Sequence, residues 1–116
     1  MGLLDNFLLR EKLIARTVEI EDELFERMEK IVPHFQDCSI SKIINYSIYD
    51  FANENRAKIE IGNMGPTFKH SVTFRETALE ELSTLADKYK GYKYVILNIA
   101  IRAGVEKLEK RIKNKK

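Results

Sequence analysis

The chain has 116 residues, a formal net charge of +2 and a single cysteine, a composition that suits one small domain with a modest core. No apolar run approaches the ~18 residues of a membrane span, and the opening Met-Gly-Leu-Leu-Asp-Asn-Phe does not read as a secretory signal. A lone Cys38 allows no internal disulfide, so a reducing, cytoplasmic setting is expected.

In chain order, Leu3, Leu4, Phe7, Leu8 and Ile14 fall at roughly helical spacing and predict an amphipathic helix over residues 1–15. Thr17-Val18-Glu19-Ile20-Glu21 then alternates as a strand, with Val18 and Ile20 on one face and Thr17, Glu19 and Glu21 on the other. Asp22 is a suitable cap for the next helix, which is expected to stop near Val32 because Pro33 has no N–H to continue it. Ser39 or Ser41 opens another helix, reaching about Asn53. Residues 54–68 read as a linker around Gly62-Asn63-Met64-Gly65-Pro66, where Lys58-Ile59-Glu60-Ile61 is a candidate for a short extra strand. Ser71-Val72-Thr73-Phe74-Arg75 alternates as the next strand, and Thr77-Ala-Leu-Glu80 forms a capping-box pattern. Gly91 is expected to end that helix. A longer helix starts at about Lys93 and reaches about Arg111, leaving 113–116 as a basic tail.

These elements are one unit written twice. An offset of 54 carries Val18, Ile20, Leu24, Phe25, Met28 and Ile31 onto Val72, Phe74, Ala78, Leu79, Leu82 and Leu85, and every position stays apolar. An offset of 53 carries Ile43, Ile44 and Asn45 onto Ile96, Leu97 and Asn98. The two asparagines interrupt apolar helix faces and are expected to share an internal hydrogen bond. Charge does not repeat: residues 17–53 hold eight acids and three bases, residues 70–116 six acids and eleven bases. A short strand cannot bury its own edges or build a core alone. The two strands are therefore expected to pair antiparallel over four helices.

Strand–helix–helix units such as Thr17-Val-Glu-Ile followed by Ser39-Ile-Ser-Lys-Ile-Ile resemble the ribbon-helix-helix DNA-binding proteins of the Arc, MetJ and CopG kind. The resemblance covers 16–53 and 69–106, within a first unit of 16–53 and a second unit of 69–112. It implies a mainly α fold with a two-stranded antiparallel β-ribbon, the two units forming a pseudo-dimer within one chain or pairing between chains. It also implies sequence-specific binding of double-stranded DNA by the ribbon in the major groove, with no cofactor. The role expected is transcriptional repressor or regulator, or accessory factor of a plasmid or mobile element, with a homodimer or higher oligomer forming on DNA.

By that resemblance the base-reading positions are Ser71, Thr73 and Arg75 on the second strand and Thr17 and Glu19 on the first. Phosphate contacts fall to Lys69, His70, Ser39, Ser41, Tyr92 and Lys93, at strand starts and helix amino termini. Arg75 can donate twice to guanine, whereas Glu19 and Glu21 face a phosphate-lined groove with the wrong charge. That misfit supports an alternative, a protein-interaction or assembly module with a degenerate DNA face and a protein partner at the acidic first unit. The two histidines and Cys38 have no ligand or base partner at suitable spacing, so no enzyme and no metal is expected.

Overall fold

The computed structural model describes residues 12–114. Its only sheet among them is a ribbon of two nine-residue strands, β1 (Leu13–Glu21) and β2 (Thr67–Arg75). They pair antiparallel within the chain, from Leu13 opposite Arg75 to Glu21 opposite Thr67, with Thr17 opposite Ser71. Both strands start four residues earlier than their alternation suggests. Leu13, Ile14 and Ala15 therefore belong to β1 and not to an N-terminal helix; residues 1–11 of that expected helix lie outside the described residues. The reason is the partner strand. Val72–Arg75 present a ladder of N–H and C=O groups, and residues 13–16 satisfy it where a helix would leave it open. Lys58–Ile61 form no strand; Ile59 packs on the core and Ile61 lies beside Gly91.

Four helices complete the described architecture: α1 (Asp22–Ile31), α2 (Ile40–Glu54), α3 (Glu76–Tyr89) and α4 (Lys93–Asn114). A 3₁₀ turn at Val32–His34 follows α1, where Pro33 interrupts the ladder. Lys113 and Asn114 belong to the last turn of α4; the rest of the expected basic tail lies outside the described residues. No described helix is long and apolar enough to cross a membrane.

Two helix starts differ from expectation. Asp22 and Thr77 fall within the first turns of α1 and α3, whose N-caps are Glu21 and Arg75 without side-chain cap bonds, because both helices begin directly as the strands end. Backbone from the other strand's approach does that work: Asp22 N–H donates to Pro66 O at 2.9 Å and Glu76 N–H to Lys12 O at 3.1 Å. Ser39 does cap α2, its Oγ accepting from Lys42 N–H at 3.2 Å. At the end of α3 it is Lys90, not Gly91, that turns left-handed, at φ 53°. Gly91 leaves room for Ile96: a Cβ there would come within 2.9 Å of Ile96 Cδ1 and displace that methyl group.

Val18, Ile20, Val72 and Phe74 point from the ribbon into one core with Leu24, Met28, Ile44, Ile48, Leu82, Leu97 and Ile101. Each such fully buried side chain contributes about 1.5–3 kcal/mol relative to exposure. Helices α2 and α4 make the most extensive helix contact. They approach closely enough that a Cβ on Gly104 would lie 2.0 Å from Ser47 Oγ.

Asn45 and Asn98 do not bond each other. Asn45 Nδ2 donates to Thr73 O at 3.0 Å and its Oδ1 accepts from Arg75 N–H at 2.8 Å. Asn98 Nδ2 donates to Glu19 O at 2.9 Å and its Oδ1 accepts from Glu21 N–H at 2.8 Å. Each asparagine thus grips the strand of the other repeat, at positions related by the same offset as the apolar residues. An amide has both a donor and an acceptor, which is what the free C=O and N–H on a strand's unpaired edge require.

Candidate functional site

The register fixes what the ribbon shows outward. Residues opposite one another in an antiparallel pair share a face. That face carries Leu13 with Arg75, Ala15 with Thr73, Thr17 with Ser71, Glu19 with Lys69, and Glu21 with Thr67. All are exposed except Glu21 and Thr67, which are half-buried. Thr17, Glu19, Ser71, Thr73 and Arg75 are therefore brought together on one surface, joined by Lys69 from within β2. His70 is not on it. Its ring stacks on Phe25 with centroids 3.8 Å apart and planes 7° from parallel, on the helix-facing side.

The two carboxylates of β1 differ in their surroundings. Glu21 Oε2 accepts from Gly65 N–H at 2.8 Å, and Oε1 lies 3.3 Å from the Arg102 guanidinium, so its charge is committed inward. Glu19 stays on the outward face, accepting from Thr67 Oγ1 at 3.2 Å and standing opposite Lys69.

A helix amino terminus flanks each end of the ribbon. At one, Ser39 caps α2 and Ser41 Oγ accepts from Thr73 N–H at 3.0 Å, so both hydroxyls already serve the fold. Lys42, which the sequence reading did not single out, sits in that turn with Nζ on Asp37 O at 2.6 Å. Its signal was available in the one-turn spacing from Ser39. An open groove of about 780 Å³ lies here, walled by Ser41, Lys42, Tyr46, Tyr49, Thr73 and Arg75. At the other end Tyr92 is 85% exposed and Lys93 opens α4. Lys69 and Lys93 make no ion pair among the described residues.

The acid-rich and base-rich halves meet in the helices. Arg102 reaches Glu21 and Glu23, and Lys107 Nζ lies 2.6 Å from Asp50 and 3.0 Å from Glu54. Arg27 grips Glu109 with two bonds of 2.9 and 2.6 Å. The Arg27 bonds hold the Glu109 carboxyl below its ordinary range, and the Asp50 bond raises Lys107. Arg102 likewise lowers Glu23, and Lys107 lowers Glu54. Glu21, Glu23 and Asp50 of the first repeat are thus paired with bases of the second.

Among the described residues no group of three His, Cys, Asp or Glu could hold a metal ion, and Cys38 is half-buried with its thiol near Ser39 O. The arrangement offers a polar ribbon with donors at both ends and two helix termini beside it. No family model, no curated protein and no solved structure matches this chain.

Proposed function

We propose that the chain binds double-stranded DNA through its ribbon, as a tandem ribbon-helix-helix protein whose two units pair within one molecule. The observation that carries this reading is the centre of the ribbon. Thr17 and Ser71 are equivalent positions of the two repeats, and they lie directly opposite each other. The Asn45 and Asn98 bonds repeat about that centre, as a dimer of identical units would require. A two-stranded ribbon fits the major groove. Arg75 and Lys69 supply donors for base edges, Thr17, Ser71 and Thr73 short hydroxyls, and Lys93 a charge for phosphate. Transcriptional regulation and service at a plasmid or mobile-element origin both use such a contact.

Fluorescence anisotropy against duplexes at several salt concentrations tests the reading. The expected result is an affinity whose logarithm falls linearly with the logarithm of salt, and which weakens in Arg75→Ala and Lys69→Ala. Absence of binding at low salt to every duplex tried, including DNA upstream of its own gene, would sink it. A solution mass near the 13.6 kDa of one chain supports pairing within the molecule.

A further inference from the structure

We infer that the chain reads a non-palindromic duplex in one orientation, and that Glu19 with Lys69 recognises a cytosine–guanine pair at one end of the site. This rests on the DNA-binding reading above and adds to it the polarity and one base pair of the target. The backbone bonds repeat about Thr17 and Ser71, but the outward side chains do not. Toward one end come Ala15 with Thr73 and then Leu13 with Arg75; toward the other come Glu19 with Lys69 and then Glu21 with Thr67. Two copies of one chain would show the same residues at both ends, and a palindromic site mirrors that symmetry. Two different strands in one chain show two different half-surfaces.

The chemistry of the ends differs in kind. Arg75 is a donor only, and Thr73 and Ala15 add methyl groups, a combination suited to guanine and to the thymine methyl. At the other end the Glu19 carboxylate oxygens, which accept, stand opposite Lys69, which only donates. Cytosine offers an amino donor beside guanine's O6 and N7 acceptors, so one base pair answers both side chains. Adenine's amino group lies between N7 and thymine O4, and both of these repel a carboxylate. Glu19 therefore acts by exclusion as well as by contact. Beside phosphates it weakens binding everywhere except where a cytosine amino group meets it.

The experiment is selection of duplexes from a random pool by the whole chain, followed by anisotropy on the selected site. Binding is compared with duplexes in which either half is duplicated into a palindrome. Both residues are exposed, so Glu19→Ala, Glu19→Gln and Lys69→Ala are expected to fold, which circular dichroism checks. The expected motif is non-palindromic. Glu19→Ala lowers the preference for one C·G pair by about tenfold while binding to unrelated duplex is unchanged or tighter. Glu19→Gln moves the preference at that position toward adenine, which an amide can meet on N6 and N7. A palindromic motif, or Glu19 variants that leave the motif unchanged or weaken all duplexes equally, overturns the inference while DNA binding stands. Failure of every duplex to bind at low salt overturns the DNA-binding reading, and this inference with it.

Discussion

Asn45 and Asn98 stand 53 residues apart and perform the same task on opposite strands, each accepting from one strand N–H and donating to the carbonyl two residues before it. Both also donate to the carbonyl one turn back on their own helix, Ser41 O and Tyr94 O. The bonds tie α2 to Thr73 and Arg75, and α4 to Glu19 and Glu21. A buried amide with every group satisfied stiffens the ribbon against the helices.

Replacing either asparagine by alanine removes the partner of a strand N–H and a strand C=O together. Because leaving such groups unpaired costs about 1–3 kcal/mol, Asn45→Ala and Asn98→Ala are each expected to lower the free energy of unfolding by about that amount. Urea titration followed by circular dichroism measures it. A loss below about 0.5 kcal/mol would mean water replaces the amide at no cost.

Gly104→Ala is expected to destabilise more than an ordinary core substitution. The added Cβ would lie 2.0 Å from Ser47 Oγ and 3.0 Å from Ser47 Cα, so rotating the hydroxyl away does not relieve the contact. Overpacking of this kind costs about 1–3 kcal/mol or more. Combining it with Ser47→Gly should recover part of the loss, and a double-mutant cycle reads the coupling.

Acid stability depends on Glu109. Arg27 lowers its native carboxyl below the ordinary 4.5, so near that pH the unfolded chain binds more protons than the native one. The contribution is complete above the unfolded value and is lost as pH falls through the lower native one. The pair is partly exposed, so it is worth no more than about 1 kcal/mol. Glu109→Gln is expected to be less stable at neutral pH and to show a shallower decline in acid. Thermal unfolding at several pH values checks both.

Lys93→Ala addresses the phosphate contact apart from base reading. A lysine at a helix amino terminus that neutralises one phosphate should weaken binding to all duplexes alike and reduce the salt slope by about 1. Loss confined to one sequence would instead place Lys93 against a base.

Much of this architecture was legible before the fold. The repeat, the inward set of Val18, Ile20, Val72 and Phe74, and the four helices follow from periodicities of two and 3.6, which neighbours in sequence reveal. The extra length of the strands did not show. Leu13 and Ile14 suit a helix locally and become strand only because Arg75 and Phe74 of the partner strand lie opposite them. Lys90 was also hidden: Gly91 looked like the left-handed residue, but its small size answers Ile96 instead.

By itself, then, the sequence determined which residues are buried and that two like units must share one core, because apolar spacing is written locally and the hydrophobic effect acts on it directly. The tertiary structure decided which charges meet and which outward residues face one another. Arg102 and Lys107 meet Glu21, Glu23, Asp50 and Glu54 across more than fifty residues of chain, and Glu19 comes to face Lys69 through strand register. Such partners are set by geometry between distant segments, and a one-residue slip of a ribbon strand would send Glu19 or Lys69 to the other face.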